Sequence, residues 1–323
     1  MLIRSRRLRT TAALRDLAAE TELLPRHLIQ GHFIQPQEGS TAIDALPGIA
    51  RNGIQATLRQ AEADLKLGIR SVLLFGVPDR ADKSPDAAAA VDPAGLVPRT
   101  VQALKEAFGQ DLVVMTDVCL CAYTDTGHCG VNHGPEVVND ESVAILAKMA
   151  VAHARAGADV VAPSDMMDGR IRAMRDALEA DGHPNTVILS YAIKHAGAFY
   201  GPFREAADSS PKFGDRRSYQ MDPRNAREGL RDALLDLDEG ADALLVKPAL
   251  PNLDLVWRLR ERALCPIAAY HVSSEYSTVK AAARMGWVDE AALFREHLLA
   301  IRRAGADWIV TYAAREALQK HWI

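Results

Sequence analysis

No apolar run in this 323-residue sequence approaches the roughly 18 residues of a membrane span. The start, Met1 to Glu22, also lacks the uninterrupted apolar core of a signal peptide. Charge of one sign is missing as well: a formal net charge of −4 gives no electrostatic reason to expect nucleic acid or an acidic membrane as a partner. A small ligand and a cytoplasmic location are therefore expected. Arg4, Arg6, Arg7 and Arg9 resemble a transit peptide, but Asp16, Glu20 and Glu22 argue for an ordered basic arm instead. Cysteine is scarce. Of four in the chain, three crowd between Cys119 and Cys129, which in a reducing compartment points to metal or catalysis rather than disulfides.

What is present is a periodic alternation of helical and strand patterns. The triplet Gly-Ala-Asp occurs at Gly157, Gly240 and Gly305, each time after a helical pattern and before a short apolar run. Each glycine can cap a helix C-terminus with the next strand starting at once. Eight runs read as strands: His32 to Ile34, Ser71 to Val77, Leu112 to Leu120, Val160 to Pro163, Thr186 to Lys194, Ala243 to Lys247, Pro266 to Val272 and Trp308 to Tyr312. Helical patterns between them include Gly53 to Leu67, Glu141 to Ala156, Arg170 to Ala180, Asn225 to Leu237, Leu253 to Ala263 and Ala291 to Arg303. Eight alternations favour an α/β fold of the (β/α)8 TIM-barrel type over a doubly wound sheet. Residues 1–30 precede the barrel as an arm for subunit contacts, and residues 31–323 form it. The long connection around 199–221 mixes aromatic, basic and flexible residues and is expected to be a lid.

In such a barrel, polar groups at the C-terminal strand ends converge on one site. The run Ala243 to Val246 is the pattern of a strand buried on both faces, and it ends in Lys247 before Pro248. That lysine either snorkels or pairs with a carboxylate, or it is a neutral amine whose pKa burial has brought down toward neutrality. Lys194, at the end of the adjacent strand, favours the second reading, because each cation disfavours protonation of the other. Neutral lysines condense with carbonyls to give Schiff bases. Asp117, Ser164, Asp165, Ser273 and Tyr312 complete the strand-end set. Cys119 and Cys121, two apart in a strand, are expected on one face, and Gly127 and Gly130 let the loop return Cys129 to them. Three thiolates can share a zinc ion with a fourth position open, or they can be ordinary buried cysteines.

Lys194, Lys247 and the three-cysteine loop together resemble the porphobilinogen synthase (5-aminolevulinate dehydratase) family. The likeness extends through Leu46-Pro47-Gly48 with Arg51, Ala162-Pro-Ser-Asp-Met-Met-Asp-Gly-Arg170, Phe199-Tyr-Gly-Pro-Phe-Arg204, Gly214-Asp-Arg-Arg-Ser-Tyr-Gln-Met221, Val246-Lys-Pro248 and Ser274-Glu-Tyr276. It implies a (β/α)8 barrel whose arm embraces a partner in a homo-octamer. It also implies a lyase that joins two 5-aminolevulinate molecules into porphobilinogen, with loss of water, in tetrapyrrole (haem) biosynthesis.

By the same resemblance, Lys247 takes the first substrate and Lys194 the second as Schiff bases, with Asp117 the proton-transfer partner. Ser273 and Tyr312 bind the first carboxylate, and Arg204, Arg216 and Gln220 the second. Phe203 and Ser164 line the substrate, and Cys119, Cys121 and Cys129 hold a catalytic zinc. Asp232 stands where some members place a glutamate that helps bind an allosteric Mg2+ between subunits, though its side chain is shorter. Departures from the usual pattern fall at Gln30-Gly31-His32, Thr126, His271 and Asn252. A lysine-dependent aldolase on the same barrel would have no use for the cysteines. A non-catalytic zinc-binding protein would have none for two strand-end lysines.

Overall fold

The computed structural model describes residues 3–323, so the first two residues of the expected arm lie outside the described residues. Eight parallel strands close into a barrel: β1 (Leu28–Ile34), β2 (Ser71–Gly76), β3 (Val113–Val118), β4 (Val160–Pro163), β5 (Val187–Lys194), β6 (Ala243–Lys247), β7 (Ile267–Tyr270) and β8 (Trp308–Thr311). Each pairs with the next, and β8 closes on β1. Around them lie α1 (Ile54–Lys66), α2 (Leu96–Phe108), α3 (Asn139–Arg155), α4 (Arg170–Ala180), α5 (Ala226–Asp238), α6 (Leu253–Arg260), α7 (Ser273–Arg284), α8 (Glu290–Arg303) and α9 (Ala314–Gln319). All eight expected strands are present. The first begins at Leu28, so the barrel starts three residues before the expected boundary at residue 31. Of the arm, Ser5–Arg9 is a 3-10 turn and Ala12–Leu17 a short helix, and neither buries a residue.

The Gly-Ala-Asp triplets close the lower end of the barrel. Each glycine adopts a positive φ of 101° to 111°, the left-handed geometry that a side chain would strain. Each aspartate then accepts a hydrogen bond from a backbone N–H of the strand before: Asp159 from Val114, Asp242 from Ile188 and Asp307 from Ile267, all at 2.8 Å. Each also pairs with a cation: Lys105 for Asp159, Arg175 for Asp242 and Arg260 for Asp307. The repeat thus ties the start of every second strand to its neighbour, at the end that in this fold serves stability.

Alternation sorts the barrel residues into two sides. Phe33, Leu73, Phe75, Met115, Leu189, Tyr191, Leu245, Tyr270, Val310 and Tyr312 fill the interior. Gly31 also points inward, where a Cβ would lie 3.1 Å from the Tyr312 ring and 3.3 Å from that of Phe75. Gln30 and His32 therefore face the helices. His32 Nε2 meets Asp64 Oδ2 of α1 at 3.0 Å, and Arg315 of α9 binds the same carboxylate through Nε at 2.6 Å and a terminal nitrogen at 2.8 Å. His271 likewise lies outside the barrel, between Thr311 at 3.1 Å and His297 of α8 at 3.2 Å.

Asp64 is fully buried, and its carboxyl pKa lies below the usual value because hydrogen bonds and charge from His32 and Arg315 outweigh burial, which pushes it up. Its stabilisation is therefore present above the unfolded pKa near 4 and is lost as pH falls through the depressed folded value. Asp64→Ala should cost about 3–5 kcal/mol in denaturant unfolding at pH 7, by leaving buried cationic groups unpaired. A loss below about 1 kcal/mol would contradict this account.

Candidate active site

The upper barrel mouth holds both lysines. Lys194 and Lys247 are direct register partners at the ends of β5 and β6. On β6 the inward positions are Ala243, Leu245 and Lys247, at every second residue. On β5, Leu189 and Tyr191 face inward, so strict alternation would send Lys194 outward. A bulge corrects this. The register shifts between Leu244 and Val246, placing Tyr191 and Ala192 opposite Leu245 alone, and Ala192 and Ile193 both pack outside the barrel. Lys194 then turns inward, where its amine hydrogen-bonds the carbonyl of Ser164.

Lys247 is 4% exposed and sits among aromatic rings, with its amine 4.4 Å from the Tyr270 centroid, 4.8 Å from Phe203, 5.3 Å from Tyr191 and 5.4 Å from Tyr200. Burial first, and the charge of Lys194 second, bring its pKa down to about 7. Asp117, half-buried at the end of β3, opposes that shift. Burial raises the pKa of Asp117 itself, against the Ser164 side chain and the two ammonium groups.

The cysteine trio assembles by a different route from the one expected. Strand β3 stops at Val118, and Leu120–Ala122 forms a 3-10 turn, so Cys121 is not on the strand. The turn, rather than strand alternation, brings Cys121 to Cys119. All three thiols are buried and unpaired by disulfides, with their sulfurs within 4.8 Å of one another. Two thiolates sharing one zinc at about 2.3 Å would stand roughly 3.8 Å apart, so this trio can close on such an ion. The pKa of Cys129 is driven well down by hydrogen bonds from Cys119 and Cys121, assisted by Arg216. In the same loop, the His128 ring nitrogens meet the Tyr219 hydroxyl at 3.0 Å and the Phe213 carbonyl at 3.1 Å.

The segment expected to form a lid lies across this mouth. It comprises a 3-10 turn (Ala198–Tyr200), a short helix (Gly201–Ala206) and irregular chain returning to α5. Arg51 pins the helix end through the carbonyls of Ala206 at 2.7 Å and Glu205 at 2.5 Å, while Lys83 pairs with Asp208 at 2.9 Å. Arg216 reaches from the lid to the Gly127 carbonyl at 3.0 Å, which joins the lid to the cysteine loop. Thr126 of that loop bonds Asn132 at 3.0 Å.

Beneath the lid are buried polar atoms without partners: Nε of Arg204, Nε of Arg216, and both amide atoms of Gln220. Burial and the neighbouring Arg216 depress the Arg204 pKa, so the pair is suited to an anion. Ser273 and Tyr312 already have protein partners. The Ser273 hydroxyl accepts from the Phe203 N–H at 3.1 Å and donates to the Phe199 carbonyl at 3.3 Å, and the Tyr312 and Tyr270 hydroxyls meet at 2.6 Å. Asp232 lies apart, on α5. It pairs with Arg231 at 3.4 Å beside a cavity of about 750 Å³ that Glu228, Asp236 and Glu239 also line. Among the described residues, no trio of metal-ligating atoms gathers about it.

Sequence reasoning missed three of the rings around Lys247, those of Tyr191, Tyr200 and Tyr270, and missed Lys83 as a lid anchor. Tyr191 and Tyr270 sit on the strands already identified, and their inward parity was the available signal.

A closed parallel barrel that gathers two registered lysines, a carboxylate and two guanidinium groups with unpartnered Nε atoms at its C-terminal mouth is an enzyme of the (β/α)8 class. Comparison with known proteins narrows the class. The family model described as Delta-aminolevulinic acid dehydratase matches residues 2–320. A curated relative of that name from Methanothermobacter thermautotrophicus is 51% identical over 318 residues, covering 98% of this chain and 96% of its own. One from Synechocystis sp. is 48% identical, covering 98% and 97%. The crystal structure of delta-aminolevulinic acid dehydratase (porphobilinogen synthase) from Toxoplasma gondii, in complex with the reaction product porphobilinogen, superposes with a TM-score of 0.97 at 44% identity, covering 99% of this chain and 92% of that one. The chain belongs to the delta-aminolevulinic acid dehydratase family, a family of hydro-lyases. No helix among the described residues is long and apolar enough to cross a membrane.

Because the folded pKa of Lys247 lies near 7 and its unfolded value near 10.4, the unfolded chain binds more protons between those limits. Its contribution to stability therefore rises with pH across that window. Lys247→Met should raise stability by on the order of a few kcal/mol at pH 6, with the gain shrinking toward pH 10 in paired denaturant titrations. A gain independent of pH would show that Lys247 is not the desolvated amine.

Proposed function

We propose that this chain joins two molecules of 5-aminolevulinate into porphobilinogen with loss of water. The observation that carries this reading is the register pairing of Lys194 with Lys247 beneath the lid. A neutral Lys247 amine attacks a substrate ketone, water leaves, and the resulting iminium draws electrons from the neighbouring carbon, which can then give up a proton. Lys194 holds the second substrate in the same way. Asp117 stands beside both amines with a pKa raised by burial, and so serves as the group that takes and returns protons.

Arg204, Arg216 and Gln220 bind one substrate carboxylate, which would satisfy their orphaned polar atoms. Ser273 and Tyr312 bind the other, with Phe203 and Ser164 against the substrate. Cys119, Cys121 and Cys129 would hold zinc, which when bound supplies Lewis acidity beside the reacting groups. The exposed arm is read as the contact through which subunits assemble toward an octamer.

Incubation with 5-aminolevulinate should yield a pyrrole detectable by colorimetry, and borohydride added during turnover should attach substrate mass to the peptide carrying Lys247. Lys247→Met should lower kcat by roughly four orders of magnitude or more. No pyrrole with zinc present would sink the proposal.

For the metal, the purified protein should carry zinc by elemental analysis. Cys129→Ser should reduce its content, and a chelator should abolish turnover until zinc is restored. Full activity with no bound metal would remove zinc from the mechanism.

A further inference from the structure

His195 and Asn252 have no part in the chemistry described above, yet they adjoin both lysines. His195 follows Lys194 at the end of β5, and Asn252 lies in the short turn after β6. Their side chains meet, His195 Nδ1 to Asn252 Oδ1, at 3.0 Å, and Asn252 Nδ2 donates to the Pro248 carbonyl at 2.8 Å. Since the amide nitrogen is engaged by a carbonyl, the amide oxygen is the acceptor and Nδ1 of His195 carries the hydrogen. The backbone N–H of His195 donates to the Lys247 carbonyl at 3.2 Å, and the Tyr200 hydroxyl donates to the His195 carbonyl at 2.6 Å. The Lys247 carbonyl is thus held from the end of β5, and the Pro248 carbonyl by Asn252, which the His195 side chain ties to the same strand end, at the point where the strand ladder ends.

Both side chains are buried, at 4% and 7% exposure. They border an apolar cavity of about 310 Å³ lined also by Phe199, Pro223, Pro248 and Pro251. The strand ends therefore have space to move apart if the bond between them is lost.

We propose that the His195–Asn252 hydrogen bond is a staple across the ends of β5 and β6 that fixes the Lys247 amine relative to the Lys194 amine, making both partners positioning residues for the condensation. The proposal rests on the reading that the two lysines act together on substrate. A displacement of about 1 Å in a reacting group can cost on the order of 100-fold in rate, and Lys247 has no other side-chain tether beyond the ring contacts around its amine.

The test uses the full-length zinc-loaded protein and the variants His195→Ala, Asn252→Ala, the double variant and His195→Asn, whose amide nitrogen can occupy the place of Nδ1. Each alanine variant should lower kcat about 10- to 100-fold with KM changed by less than about 3-fold. The double variant should be no worse than the poorer single, because both remove one bond. His195→Asn should recover most of the lost rate, although it is the smaller residue.

Alanine variants within about 2-fold of an active wild type, or His195→Asn as poor as His195→Ala, would overturn the staple. If His195→Ala does not fold, Asn252→Ala and His195→Asn carry the same comparison. A separate readout needs no turnover: trace acylation of Lys247, measured by peptide mass against exposed Lys66. The Lys247 to Lys66 ratio should shift several-fold in the variants. An unchanged ratio overturns the staple even if the wild type makes no pyrrole, an outcome that would by itself refute only the proposed reaction.

Discussion

Two ammonium groups cannot comfortably share the dry end of a barrel, and the upper half of this structure is arranged around that constraint. Lys194 and Lys247 are register partners on adjacent strands, one bonded to a carbonyl and the other enclosed by rings. Proximity makes loss of one proton favourable, and the aromatic enclosure keeps out the water that would stabilise the charged form. Asp117 limits the effect, since a nearby carboxylate favours protonation of the Lys247 amine. The lid belongs to the same arrangement. By covering the mouth and binding the cysteine loop through Arg216, it joins the dry lysine compartment to the thiol cluster in one enclosure.

Much of this was legible in the sequence because it rests on local chemistry. Short apolar runs ending in polar residues gave all eight strands, and the three Gly-Ala-Asp triplets marked helix-to-strand junctions because glycine alone tolerates the required φ. Their aspartates were not legible as strand clamps, since the bonds they accept come from a neighbouring strand far away in sequence. The spacing of two from Cys119 to Cys121 reads as one face of a strand. In the fold the chain turns at Leu120, and period-two reasoning does not hold past that point.

The departures from the family pattern also sort by place. His32 and His271 face helices, on the side of their strands away from the barrel interior, and serve packing. Asn252 stands beside the site and contacts it through the backbone. Sequence position could not separate these cases, because facing inward or outward depends on strand register.

The β5 bulge carries a consequence for what this fold can become. A residue's side of a strand is a matter of odd and even counting, and Lys194 reaches the interior because one extra residue opposite Leu245 changes the count. A regular β5 would leave a barrel with a single inward amine, and the proposed reaction, which uses two, would lose its second anchor. In the proposed reaction, molecularity is thus set by the parity of the backbone as well as by the identity of the side chains.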